Sequence, residues 1–133
     1  MDGIISHSQD GGLNFGGFAF EKKQKQEGYV VNESVYKIKT HNEITRLERN
    51  DALLFETTPG SLITDFYLND GLCAFNARGT GDTHITIELL PETTYRVVED
   101  GINLGDCKTN KTGKIMFSAE LTGNKKEFKV EKM

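Results

Sequence analysis

From Tyr29 to its end the chain is cut by turn residues at roughly ten-residue intervals, and no eleven-residue window keeps helical spacing of its apolar residues. The runs between the cuts are rich in Val, Ile, Thr, Tyr and Phe, which suit a pleated, half-buried surface. They lie at 29–39 (interrupted by Asn32-Glu33-Ser34), 43–48, 52–57, 62–68, 72–77, 83–89, 95–99, a short piece near Ile102, 114–120 and 127–132. Asn69-Asp70-Gly71 and Asp100-Gly101 carry the residues that accept positive φ in tight hairpins. Pro59-Gly60 and Thr122-Gly123-Asn124 mark two more turns. Only an all-β, antiparallel domain fits this punctuation.

Period-two alternation assigns faces. Ile85, Ile87 and Leu89 point inward from one strand, Ile115, Phe117, Ala119 and Leu121 from another, and Phe128 and Val130 from the last. In 62–68, alternation sets Leu62, Phe66 and Leu68 against Ile63, Asp65 and Tyr67, so both faces are apolar. Either a central place, or an outer face covered by the glycine-rich start or a neighbouring domain, is expected. The first residues differ in kind, with glycines at 3, 11, 12, 16 and 17. Glycine loses much backbone freedom on ordering, so residues 1–28 are expected as an irregular segment docking through Phe15, Phe18 and Phe20. The polar run 21–28 has no apolar stripe and is expected to form at most a helical turn or two before Gly28. The sandwich domain proper is then 29–133.

Between the strands at 83–89 and 95–99 stands Leu89-Leu90-Pro91-Glu92-Thr93-Thr94-Tyr95. Leucine, proline and tyrosine at these offsets resemble the tyrosine corner of fibronectin-type and other immunoglobulin-like β-sandwiches, where a buried phenol bonds backbone a few residues upstream. The resemblance implies an immunoglobulin-like sandwich in which Leu89, Pro91 and Tyr95 are scaffold, with the Tyr95 hydroxyl on backbone near Leu90 to Glu92.

Composition removes several functions. The formal charge of −4 is mild and spread along the chain, and Lys22-Lys23-Gln24-Lys25 and Lys125-Lys126 contain no aromatics, so no nucleic-acid footprint is present. No apolar run approaches the ~18 residues of a membrane-spanning helix. No secretory signal follows Met1-Asp2-Gly3. That leaves a cytoplasmic protein, or a segment of a longer exported one working outside the cell or at its surface. The strand-like end at 127–133 suits the C-terminal module of something larger. Cys73 lies in an apolar strand and Cys107 near a turn, and neither belongs to a CxxC pair. Their pairing is not fixed by spacing.

Chemistry-bearing residues are few. His7, His41 and His84 lie in the flexible start, a turn and an outward face, with no metal-binding spacing and no nucleophile beside them. Arg78-Gly79-Thr80-Gly81-Asp82 is followed by a strand, whereas phosphate cradles need a helix N-terminus after the glycines. Asp100, Asn103 and Asp106 offer oxygens to calcium, but at spacing unlike the EF-hand. Asn32-Glu33-Ser34 and Asn110-Lys111-Thr112 are glycosylation sequons. Tryptophan is absent, which weakens the case for sugar stacking. Tyr29, Tyr36 and Tyr67 remain as stacking candidates, with Asp65 and Arg78 as polar partners. No cofactor and no catalytic or metal-binding residue is expected.

The order from Thr83 through Tyr95, then Glu99-Asp100-Gly101, the polar loop Thr109-Asn110-Lys111-Thr112-Gly113 and the strand from Lys114 to Ser118, resembles a known group of domains. It is similar to the C-terminal sandwich domains of bacterial polysaccharide lyases and glycoside hydrolases, heparinase-like enzymes among them, over about residues 51 to 133. The resemblance implies a non-catalytic accessory module that packs on a neighbouring catalytic domain or holds polysaccharide weakly. A freestanding adhesion or protein-interaction module, and a small lyase or hydrolase with a histidine base, are the alternatives. Oligomeric state stays open.

Overall fold

The computed structural model describes residues 4–69 and 71–133. Thirteen strands form in chain order: β1 (Ile5–His7), β2 (Leu13–Gly16), β3 (Gln24–Val31), β4 (Ser34–His41), β5 (Ile44–Arg49), β6 (Ala52–Thr58), β7 (Leu62–Asn69), β8 (Leu72–Arg78), β9 (Gly81–Glu88), β10 (Thr94–Glu99), β11 (Ile102–Lys108), β12 (Lys114–Leu121) and β13 (Lys126–Lys132). They make a seven-stranded sheet, β1-β2-β7-β8-β13-β10-β11, and a six-stranded sheet, β12-β9-β6-β5-β4-β3, antiparallel throughout. No helix forms among the described residues. The two sheets pack as a β-sandwich, as the period-two rows require: each buries one face and wets the other.

Inward residues from both sheets meet in one core. Phe15, Phe66, Phe75 and Phe128 come from the seven-stranded sheet and Phe55 from the other. Phe55 meets Phe15 and Phe75 edge-on with ring centroids 5.4 and 5.2 Å apart. Each fully buried phenylalanine contributes roughly 1.5–3 kcal/mol of apolar transfer, and such ring geometry adds to it. The inward rows expected for β9, β12 and β13 are those observed: Ile85, Ile87, Ile115, Leu121, Phe128 and Val130 are all buried.

Hairpins carry the turn chemistry. Asn32-Glu33, Asn50-Asp51 and Asp100-Gly101 hold positive φ at both central positions, which matches the twist of the flanking strands. Asn32-Glu33, read as an interruption of one strand, is therefore the β3–β4 turn. Met1-Asp2-Gly3, and the Asp70 of the Asn69-Asp70-Gly71 signal, lie outside the described residues. β7 and β8 pair as far as Asn69 and Leu72.

Several expectations change. The polar run 21–28 is not helical: Gln24 to Val31 form β3, an edge strand paired with β4. Its polarity is that of an exposed edge, and Gly28, at φ +69°, sits where the register shifts. A division at residue 28 thus falls inside a strand. The glycine-rich start supplies β1 and β2, with Leu13 and Phe15 in the core, because glycine there serves the turn and the close approaches. In β7, a bulge at Asp65 (φ +50°) breaks the alternation, so Ile63 and Phe66 both face inward, not Leu62 and Phe66. The piece near Ile102 is a seven-residue edge strand with Cys107 inside it, and Gly105, at φ +122°, adjoins its register shift. Cys73 and Cys107 are free. β8 and β11 lie three strand spacings apart, roughly 14 Å, beyond disulfide reach.

The two ends of the sandwich are built differently. At one end Thr40, Thr45, Thr57 and Ser61 are all at 0% exposure. Thr45 Oγ1 accepts the Ser61 N–H and lies 3.0 Å from the Ser61 carbonyl and 2.8 Å from Thr40 Oγ1. Thr57 and Ser61 share a hydroxyl bond of 2.6 Å. Thr40 Oγ1 donates to the Gly17 carbonyl and accepts its N–H. Gly16, at φ +90°, lies so close to the Ser61 carbonyl that a Cβ would collide with it. At the other end the chain turns from β9 to β10 through the Tyr95 corner.

Candidate functional site

Tyr95 is 3% exposed, and the Leu90 N–H donates to its Oη at 3.2 Å. Thr109, itself 3% exposed, locks the same turn: its hydroxyl donates to the Leu90 carbonyl and accepts the Thr93 N–H. The Leu89 and Glu92 N–H groups donate to the carbonyls of Gly113 and Asn110. Leu89, Leu90 and the turn after them are thus strapped to the β11–β12 connection, and the corner positions the end of the molecule.

The five carbohydrate candidates divide between the sheets. Tyr36 continues the inward row of β4 with Ile38 and Thr40, and at 9% exposure it offers no stacking face. Tyr29 is opposite it in register and bonds His7 Nδ1 through its hydroxyl at 2.6 Å. Asp65, Tyr67 and Arg78 lie on neighbouring strands of the other sheet, β7 and β8. Asp65 and Tyr67 are near neighbours on β7. Arg78 is opposite Leu62 while Tyr67 is opposite Ala74, so Arg78 lies farther along β8 and bonds neither among the described residues. Tyr29 and Tyr36 belong to the other sheet.

Around Asp65 the outer face of the seven-stranded sheet carries a polar row. The bulge turns the Asp65 N–H out of the ladder, and Asn14 Oδ1 accepts it at 3.0 Å. Asn14 sits in the matching irregularity of β2, and its Nδ2 donates to Ser6 Oγ at 3.4 Å. Asn76 Nδ2 donates to Asp65 Oδ2 at 3.2 Å. The row therefore crosses β1, β2, β7 and β8. Tyr67 flanks it, with its ring over Gly12 and its hydroxyl donating to Asp10 Oδ2 at 2.6 Å. Asp10 also accepts from the Ser8 hydroxyl and the Gly12 N–H. These donors, Ser8 first and then Tyr67, lower the Asp10 carboxyl to about 2. The same bond raises the Tyr67 phenol above its ordinary value. Ser6, Asp10, Asn14 and Asn76 escaped sequence reading. Polar residues between inward neighbours, as in Leu13-Asn14-Phe15 and Phe75-Asn76-Ala77, mark them as outward, but only register brings them together.

A cleft of about 430 Å³ opens between the sheets at the Tyr95 end, with Leu53, Leu54, Leu68 and Leu90 in its walls and Arg49 and Glu88 as its charges. A smaller hollow of about 300 Å³ lies between the β1–β2 turn and the β3–β4 hairpin.

Other candidates resolve into local roles. His84 Nδ1 lies 3.0 Å from Ser118 Oγ, a nucleophile–base pairing by distance. It sits on an exposed, flat sheet surface, with no carboxylate bonded to the ring among the described residues. His41 contacts the neighbouring Asn42 side chain. The oxygens considered for calcium are engaged separately: Asp100 accepts the Glu127 N–H, Asn103 accepts the Gly105 N–H, and Asp106 pairs with Arg96 at 3.7 Å. Among the described residues no group of three metal-ligating side chains forms. Arg78-Gly79-Thr80-Gly81-Asp82 links β8 to β9 with no helix following. Burial pushes the Cys73 thiol up to about 12, so it is an inert core side chain. No family model matches this chain, and no curated protein or solved structure does.

Proposed function

We propose that this chain is a non-catalytic, immunoglobulin-like accessory module of an exported polysaccharide-degrading enzyme, holding polysaccharide weakly on the outer face of its seven-stranded sheet. The observation that carries the reading is the Asp65 carboxylate, held by Asn76 and by the Asn14 clasp on its own backbone, beside Tyr67. Sugars present hydroxyls and flat C–H faces. A carboxylate accepts charge-assisted bonds from such hydroxyls, and a phenol ring offers an apolar plane with a polar tip. The row is fixed before ligand arrives, so ordering costs on binding are small. Arg78 at the end of β8 adds a cation suited to acidic sugars. The Tyr95 corner supports the immunoglobulin-like form, and the neighbouring catalytic domain is the second partner of the reading.

Affinity gels loaded with acidic and neutral polysaccharides test it. Retardation by at least one polysaccharide is expected, weakened about tenfold by Asp65→Asn, which tolerates positive φ, and by Tyr67→Ala. Flat mobility across both gel types would leave the module a structural role only.

One observation favours a second reading, a protein-interaction module. Edge strand β11 exposes Ile102 at 65% and Leu104 at 48%, beside unpaired backbone groups. Concentration-dependent association in sedimentation, lost with Ile102→Lys, would support that reading in place of glycan binding.

A further inference from the structure

We infer that the open end of the sandwich is a binding site for a small anionic amphiphile, a monocarboxylate with an apolar tail, independent of the glycan surface. The cleft volume of about 430 Å³ falls within the size range of small-molecule sites. Its walls are leucines from both sheets and from the Tyr95 corner, and Arg49, Asn69, Glu88 and Tyr95 give it a polar share as large as the apolar one. Their character selects the ligand.

Arg49 ends the inward row of β5, after Thr45 and Leu47, both at 0% exposure. It stands opposite Tyr36 on one side and Ala52 on the other. Among the described residues it forms no ion pair and no side-chain hydrogen bond, whereas Arg46 pairs with Glu56 and Arg96 with Asp106. The Tyr95 hydroxyl accepts the Leu90 N–H, and among the described residues its own proton has no acceptor. A buried hydroxyl with an unused donor, and an unpaired cation at the mouth of a leucine-walled cleft, both call for an acceptor that carries negative charge. Glu88 is the one carboxylate in the lining. It belongs to the outward row of β9 and is directly opposite Lys114 of β12 in register, where the Lys114 ammonium donates to Thr112 Oγ1 at 3.5 Å. The head of the ligand lies between Arg49 and Tyr95, with its tail along Leu53, Leu54 and Leu68.

Titration of the ¹⁵N-labelled protein with octanoate, octanol and acetate, followed by amide shifts, tests this. Octanoate is expected to move the amides of Leu53, Leu54 and Leu90, binding about tenfold more tightly than octanol or acetate. Arg49→Met should reduce octanoate to the affinity of octanol, and Arg49→Lys should retain part of the difference. Equal binding of octanoate and octanol to the unaltered protein would overturn the charge argument without recourse to any variant. Octanoate shifts confined to other surfaces, or none at millimolar concentration, would overturn the site itself.

Discussion

The two ends of the sandwich meet water by opposite means. At one, Thr40, Thr45, Thr57 and Ser61 are wholly buried and bond one another and the loops above them. At the other, leucines line an open cleft, and the polar groups Arg49 and Tyr95 keep unused donors among the described residues. The polar end is the sealed one. Apolar residues do not close a sandwich end unless the backbone crossing over them has its own hydrogen bonds met. Thr45 meets those of Ser61, which lies on the β6–β7 crossing. The Leu90 N–H and carbonyl are met by Tyr95 and Thr109, but that strap leans toward the β11–β12 connection and leaves the gap between the sheets uncovered.

Substitutions at the two ends should therefore differ in size. Thr45→Val keeps shape but strands the buried Ser61 N–H, while the Thr40 hydroxyl keeps its bonds to Gly17, so a loss of about 1–3 kcal/mol is expected in urea unfolding. A loss below about 1 kcal/mol would mean that packing, not the hydroxyl network, seals this end. Tyr95→Phe frees only the Leu90 N–H beside an open cleft, and should cost about 0.5–1.5 kcal/mol in the same assay. Arg49→Met at the open end should change stability by no more than about 0.5 kcal/mol, since no described partner is lost. If it cost as much as Thr45→Val, the two ends would not differ as described.

The smallest effect concerns the β1–β2 turn. The Asp10 carboxyl is lowered from 3.8 to about 2, so its contribution is full above pH 3.8 and fades as pH falls through about 2. Asp10→Asn should flatten that part of the acid limb in a pH series of thermal melts and leave neutral-pH folding intact. Because Asp10 is fully exposed, solvent keeps the effect small.

How much of this was legible in the sequence depends on the residue. Ile85, Ile87, Phe128 and Val130 lie where alternation puts them, because their strands are regular. Ile63 does not, because one residue of bulge at Asp65 reverses the faces on either side. The first part of β3, Gln24 to Gly28, reads as a polar run with at most a helical turn or two, since an edge strand needs little apolar surface. β1 and β2 hide among glycines chosen for turns and close approach. The site residues were least legible. Asn14, Asp65 and Asn76 meet only through the β2–β7–β8 register, which no local pattern encodes. Arg49 fell between two expected strands, and only the continuation of β5 turns it toward the cleft.

The most direct test of the central claim is an amide-shift map of the ¹⁵N-labelled protein titrated with acidic and neutral oligosaccharides. The account predicts shifts clustered at Asn14, Asp65, Tyr67, Asn76 and Arg78, with the Tyr95 end unmoved. Shifts that gather on β11 or at the end cleft, or none with either sugar class, would contradict it.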